Sequence, residues 1–310
     1  MARALLITNP AAARTDARAL TAVREALRHA GWNVDVAATA RPGDARRLAL
    51  RGRDEGFDAL LSYGGDGTAM QIAAAVAGTG IPLGLIPGGT GNVLAGNLRL
   101  PRRPLAAVQA ILHGVAASID LGAVERADGT HYFAVCCGAG FDAALMRRTD
   151  AVAKRRWRRA AYVRAALLAL PQVHSARVRI TIDGVDTRLD AAMVLVCNCA
   201  DLMPPFLRLH RDIRPDDGIL DVVVMRADGL WQSAAAFVEL MQRRAPERRN
   251  RVWYGRGTTI AVTAEEGDPL PAQLDGEDVG TTPLAARVLP GALRVFVDPG
   301  TSPVPGDGRG

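Results

Sequence analysis

Apolar positions in the first third of the chain follow two alternating periods. Residues 4–8 (ALLIT), 57–63 (FDALLSY) and 81–86 (IPLGLI) are short, largely apolar runs and read as buried strands, and 32–38 (WNVDVAA) reads as a further strand. Between them, 16–30, 44–54 and 68–77 carry helical spacing, and Gly31 can terminate the first helix. Strands separated by single helices predict a parallel sheet with helices on both faces, an α/β domain over residues 1–120.

Beyond residue 120 the pattern changes. Alternating or β-rich runs dominate at 118–126, 131–137, 177–190, 191–199, 219–225, 258–264 and 292–298, with a hairpin signal at Asp183-Gly184. Helical spacing interrupts them at about 150–170 and 229–243. This predicts a mainly antiparallel β domain over 121–299, with the strand near 292–298 returning to the first domain. Residues 300–310 read as a disordered tail. No internal repeat is visible.

Chemistry gathers where the predicted parallel strands end. NPAAAR (9–14), GGDGT (64–68) and PGGTGN (87–92) all follow the carboxyl ends of strands, the edge where ligands bind in such sheets. Glycines let the backbone approach a bulky anion, and amides at a helix start point toward it. Asp66 sets a carboxylate among them. Beside a polyanion that charge is unfavourable unless it serves a cation, which points to magnesium held between Asp66 and a nucleotide. In the second loop Thr90 and Asn92 add short polar arms among Gly88, Gly89 and Gly91. A third string, Leu274-Asp275-Gly276-Glu277, lies about 200 residues downstream and is by itself ordinary turn chemistry.

Composition narrows the classes. Of 310 residues, 49% are apolar and 23% charged, which argues against a disordered or collagen-like chain. Among 38 basic residues Lys154 is the only lysine, so no GxxxxGK[ST] loop exists and P-loop NTPases are excluded. Cys136, Cys137, Cys197 and Cys199 fall as CC and CxC in apolar runs, without zinc-site spacing, and read as buried reduced thiols. Histidines 29, 113, 131, 174 and 210 form no ligand pattern. The amino terminus is too short in apolar residues for a signal peptide, and no run of about 20 apolar residues crosses a membrane, so a cytoplasmic location is expected.

GGDGT, PGGTGN, PDDGILDV (215–222) and DGE, in this order and spacing, resemble the bacterial diacylglycerol kinase catalytic-domain family, relatives of sphingosine kinases. NPAAAR and Phe141-Asp142-Ala143 fit the same resemblance, which runs from Asn9 to about Pro299. It implies a phosphofructokinase-like α/β domain followed by an antiparallel β-sandwich, with ATP between them. The nucleotide contacts it implies fall on Asn9, Pro10, Thr39, Gly65, Asp66, Gly67, Thr68 and Thr90, and the loop reading itself adds Gly64, Gly88, Gly89 and Asn92. It implies Glu277 as the general base, with Asp66 the second catalytic carboxylate and a magnesium ligand. A structural magnesium site would use the Asp217 side chain with backbone oxygens of Arg214 and Ile219.

The chain departs from the family at several points. Met70 and Gln71 stand where many members carry Asn-Glu, Arg159 or a neighbour replaces a glycine, and 197–214 lacks a glycine cluster. The expected activity is ATP- and magnesium-dependent phosphorylation of a lipid hydroxyl, on diacylglycerol or a related lipid. The rivals are an NAD kinase-like enzyme and a catalytically inactive nucleotide-binding regulator. In the segment 147–164, eight basic residues surround Trp157 and Tyr162 against one acid, Asp150. Contact with anionic lipid at the inner membrane face leads there over a solvated basic face, and no nucleic-acid partner is expected. A homodimer is left open.

Overall fold

The computed structural model describes residues 2–141, 143, 174–203, 207–210, 212–241, 251–300, 302 and 304. The predicted helix at 150–170, the basic segment 147–164, Asp142 and nearly all of the tail at 300–310 lie outside the described residues.

The chain begins with β1 (Arg3–Thr8), α1 (Ala17–His29), β2 (Asn33–Ala38), α2 (Asp44–Asp54), β3 (Ala59–Gly64), α3 (Asp66–Val76) and β4 (Leu83–Pro87). Two helices unmarked in the sequence reading follow, α4 (Val93–Asn97) and α5 (Pro104–His113). Asp16 starts α1 by accepting the Ala19 amide at 2.7 Å. The strands lie parallel in the order β2-β1-β3-β4. Their alternation sorts two layers. Ala4, Leu6, Leu61 and Tyr63 pack under α1 and α5, while Leu5, Ile7 and Leu60 pack under α2 and α3. Burial on both faces is why β1, β3 and β4 read as continuous apolar runs, whereas β2, at the sheet edge, buries only Val34.

The second part contains β5 (Val115–Arg126), β6 (Gly129–Phe133), β7 (Cys136–Gly140), β8 (Ala176–Ile182), β9 (Val185–Ala191), β10 (Met193–Cys197), β11 (Asp201–Met203) and β12 (Leu207–Arg208). After these come β13 (Leu220–Met225), α6 (Gly229–Met241), β14 (Val252–Gly257), β15 (Thr259–Ala264), β16 (Pro271–Leu274), β17 (Glu277–Thr281) and β18 (Leu284–Val297). One antiparallel sheet runs β14-β13-β10-β7-β16-β17. It faces β8, β15 and neighbours across a core that includes Cys137, Val194, Val222, Ile180, Val262 and Ala286. This is an α/β domain followed by an antiparallel sandwich.

The two parts share one ten-stranded sheet. Val295 of β18 pairs in parallel with Leu83 of β4, and β18 pairs antiparallel with β5 along most of its length. Residue 120 therefore lies inside β5 rather than in a linker. The run 131–137, read from its pattern as one strand, is two: β6 joins the ten-stranded sheet and β7 the other. The break at Ala134 and Val135 has a physical cause, the Asp275 carboxylate, described below. All four cysteines are buried and none forms a disulfide, and burial pushes the Cys197 and Cys199 thiols up, away from nucleophilic use.

Candidate active site

β3 and β4 are neighbours in register, with Gly64 opposite Pro87, so GGDGT and PGGTGN leave the sheet side by side. The Gly88 and Gly89 amides both donate to the Gly64 carbonyl, at 2.7 and 3.1 Å. The loops touch backbone to backbone: a Cβ on Gly89 would lie 2.6 Å from the Gly65 Cα. This glycine is thus required for loop packing. Asn92 adopts the left-handed conformation at φ 50° and closes its own loop. Its Oδ1 accepts the Gly89 amide at 3.0 Å and its Nδ2 donates to the Gly89 carbonyl at 2.8 Å.

Asp66 is the first residue of α3, and its Oδ1 accepts the Val93 amide at 2.5 Å. Burial raises its pKa, against the lowering pull of the amides of Asn92, Val93 and Leu94. The carboxylate therefore straps one glycine loop to the start of the next helix. Asn9 extends the same edge: its Nδ2 donates to Thr68 Oγ1 at 3.3 Å, and its amide donates to the Tyr63 carbonyl at 3.0 Å. Thr39 follows β2, its amide donating to the Thr8 carbonyl at 2.9 Å, and Pro10 is exposed beside Asn9. The strand order thus aligns Thr39, Asn9, Gly65 and Gly88 along one sheet edge. Gln71 Oε1 accepts the Arg46 amide of α2 at 3.4 Å.

The DGE string forms the turn between β16 and β17. Asp275 at φ 45° and Gly276 at φ 89°, flanked by the paired Leu274 and Glu277, make a two-residue hairpin of the kind that needs two left-handed positions. Asp275 Oδ2 accepts the Ala134 amide at 2.7 Å, and Oδ1 accepts those of Val135 and Cys136 at 3.0 and 2.9 Å. Those three bonds take the 134–136 amides that a continuous strand would use. Burial pushes the Asp275 carboxyl up to about 6; the three amides oppose the shift and the Asp66 charge adds to it. The turn carries Glu277 over GGDGT: a Cβ on Gly67 would lie 3.2 Å from Glu277 Oε1. A carboxylate about 200 residues downstream thus stands beside the loop that carries Asp66.

The residues expected around a structural metal sit in the loop before β13. Arg214 makes two bonds to Asp216, at 3.0 and 2.8 Å. Asp217 Oδ1 accepts the Ile219 amide at 3.2 Å, and its Oδ2 pairs with Arg256 at 2.6 Å. Asp120, absent from the sequence reading, is buried below them and accepts the Gly218 and Gly291 amides, both at 2.7 Å. Its cue was an acid inside an apolar strand. Burial raises its pKa, and Asp217 and Asp216 add to the shift. Among the described residues no group of three or more His, Cys, Asp or Glu side chains is arranged to hold a metal ion. Asp221 is wholly buried, takes the Tyr254 hydroxyl and the Arg256 Nε, and is pushed up to about 6 chiefly by burial.

Residues 3–124 match the model of the diacylglycerol kinase catalytic domain, and 135–297 match that of the YegS C-terminal NAD kinase beta sandwich-like domain. A probable lipid kinase YegS-like of Pseudomonas aeruginosa is 32% identical over 285 residues, covering 89% of this chain and 88% of that protein. A diacylglycerol kinase of Mycobacterium tuberculosis is 28% identical over 287 residues, covering 87% and 86%. An uncharacterized protein of Synechocystis sp. is 29% identical over 245 residues; the match covers 78% of this chain but only 55% of that protein. The crystal structure of a diacylglycerol kinase from Bacillus anthracis superposes with a TM-score of 0.75 at 22% identity, covering 96% of this chain and 97% of that one, a likeness of fold.

Proposed function

Because this chain belongs to the diacylglycerol kinase catalytic-domain family, with its YegS-type carboxyl-terminal sandwich, we propose that it is an ATP- and magnesium-dependent lipid kinase. It transfers the γ-phosphate to a lipid hydroxyl, of diacylglycerol or a related lipid. The observation that carries this reading is the arrival of Glu277 Oε1 3.2 Å from where a Gly67 Cβ would stand, over the GGDGT loop. A phosphate cradle alone would suit a sensor. A second, solvent-exposed carboxylate facing it suits proton removal from an acceptor.

In this reading, amides at the start of α3 face the phosphates, with Asn9, Thr39 and Thr90 along the same edge, while the Gly88 and Gly89 amides are held by the Gly64 carbonyl and Asn92. Glu277 takes the proton of the lipid hydroxyl as the oxygen attacks phosphorus, a contribution of roughly 10²–10⁴ in rate. Asp66 fits magnesium. One oxygen is fixed on the Val93 amide, and the other lies 2.6 Å from where a Gly91 Cβ would be, beside bare backbone. Bound there, the ion would neutralise charge on the transferring phosphoryl group. Asp217 fits less well, since Arg256 already balances its charge.

The acceptor reaches the site from a membrane surface. Among the described residues no helix is long and apolar enough to cross a membrane, and the basic segment 147–164 supplies contact with anionic lipid at the inner face. Each basic residue close to the surface contributes on the order of 1 kcal/mol. Replacing Arg155, Arg156, Arg158 and Arg159 by Ser is expected to cut vesicle sedimentation and lipid turnover without changing ATP affinity. Equal sedimentation of both proteins would remove this role.

Incubation of the purified protein with γ-labelled ATP, magnesium, NAD and an extracted lipid pool tests the reading. Label in a phosphorylated lipid identified by mass spectrometry is the expected result. Label on NAD alone, or no transfer, would overturn it in favour of a nucleotide kinase or a sensor.

A further inference from the structure

We propose that Asn97 is a positioning residue that locks the nucleotide half of the site to the acceptor half. The inference rests on the lipid-kinase reading above and names how its two halves keep one geometry. Asn97 ends α4, is nearly fully buried, and uses both ends of its side-chain amide. Its Nδ2 donates to the Val93 carbonyl at 3.0 Å and to the Asp201 carbonyl at 2.8 Å. Its Oδ1 accepts the Asp201 amide at 2.9 Å. The side chain thus pairs with the Asp201 backbone as a neighbouring strand would, across the two parts of the molecule.

Each end of this link leads to a carboxylate of the site. On the nucleotide side, the residue whose carbonyl Asn97 holds is Val93, and the Val93 amide holds Asp66. On the acceptor side, Asp201 ends the short stretch 198–201. The other end of that stretch, Asn198, is buried and donates to the Ala134 carbonyl at 3.0 Å and the Asp120 carbonyl at 2.8 Å. The Ala134 amide in turn donates to Asp275, which sits two residues before Glu277 in the hairpin. Residues 198–201 therefore bridge the support of Glu277 and the helix that Asp66 caps, and Asn97 is the clamp on the Asp66 side.

Only asparagine meets this geometry. Alanine removes the Asn97 bonds to the Asp201 amide and carbonyl, and an ionised aspartate sets negative charge against two carbonyl oxygens. A protonated aspartate has the shape of the amide and regains one donor. This gives a readout that a merely stabilising contact would not move.

In a folded Asn97→Ala enzyme, ATP affinity by calorimetry is expected to stay within about twofold, while kcat for lipid phosphorylation falls at least about tenfold, as expected for misplaced reactants. Asn97→Asp is expected to match the Ala variant at pH 8 and to recover turnover relative to wild type as pH falls, whereas the Ala variant does not. Hydrogen exchange reads the clamp without lipid: ATP with magnesium should slow exchange at 198–203 in wild type and fail to do so in Asn97→Ala. Wild-type kcat in the Ala variant, or equal nucleotide protection of 198–203 in both proteins, would overturn the role of Asn97. A wild-type protein that phosphorylates no lipid would overturn the lipid-kinase reading, and the exchange experiment would still decide the clamp.

Discussion

The two halves of the site are built on opposite plans. On the nucleotide side, Gly64–Thr68 and Gly88–Asn92 leave adjacent parallel strands and bond mainly to each other and to the neighbouring 9–14 loop and the start of α4. On the acceptor side, Glu277 stands on a hairpin whose Asp275 grips amides of residues 134–136, and residue 134 is gripped in turn by Asn198. The first half is assembled from local chain, the second from segments far apart in sequence. Damage to the first should show at the phosphates; damage to the second should show in stability and in the aim of the base.

The largest effect is expected at the carboxylate that touches the nucleotide half. Asp66→Asn keeps an oxygen for the Val93 amide, so the fold should hold while lipid phosphorylation falls on the order of a thousandfold. Label transfer by a variant with unchanged circular dichroism checks this, and near-normal turnover would remove Asp66 from the chemistry. A smaller effect is expected from Gly89→Val, whose side chain would begin 2.6 Å from the Gly65 Cα and part the loops. ATP affinity should fall at least about tenfold, the loss of roughly one good contact, and calorimetry on the folded variant would show it.

The acceptor half has a pH signature. Asp275 and Asp221 are both raised from the usual 3.8 to about 6. Between pH 4 and 6 the native state therefore binds more protons than the unfolded chain, so these groups lower stability as pH rises through that window. For Asp275 the contribution is on the order of 1–3 kcal/mol. Thermal melts from pH 4 to 6 should show a shallower fall in Asp275→Asn than in wild type. Parallel curves would mean that its three amide bonds offset burial.

Legibility in the sequence followed the same division. Strands β1 to β4, helices α1 to α3 and the glycine strings at strand ends were visible because buried apolar strands, amphipathic helices and βα turns leave local marks. Glu277 was visible only as part of a common turn string, since its approach to Gly67 depends on β16 and β17 pairing beside β7. The split of 131–137 could not be read, because its cause is a carboxylate about 140 residues away. Helix α4 is five residues long, too short for a periodic signal, and nothing in its sequence marks Asn97 as the partner of Asp201.

The central claim is that these unlike halves form one phosphotransfer site, and Glu277→Gln tests it most directly. The substitution keeps the shape of the side chain and removes its capacity to accept a proton. With ATP affinity and lipid turnover measured on the same folded protein, ATP binding should be unchanged while kcat falls at least about a hundredfold. A folded Glu277→Gln protein that phosphorylates lipid at close to the wild-type rate would contradict the account, leaving Glu277 only a residue that completes a turn.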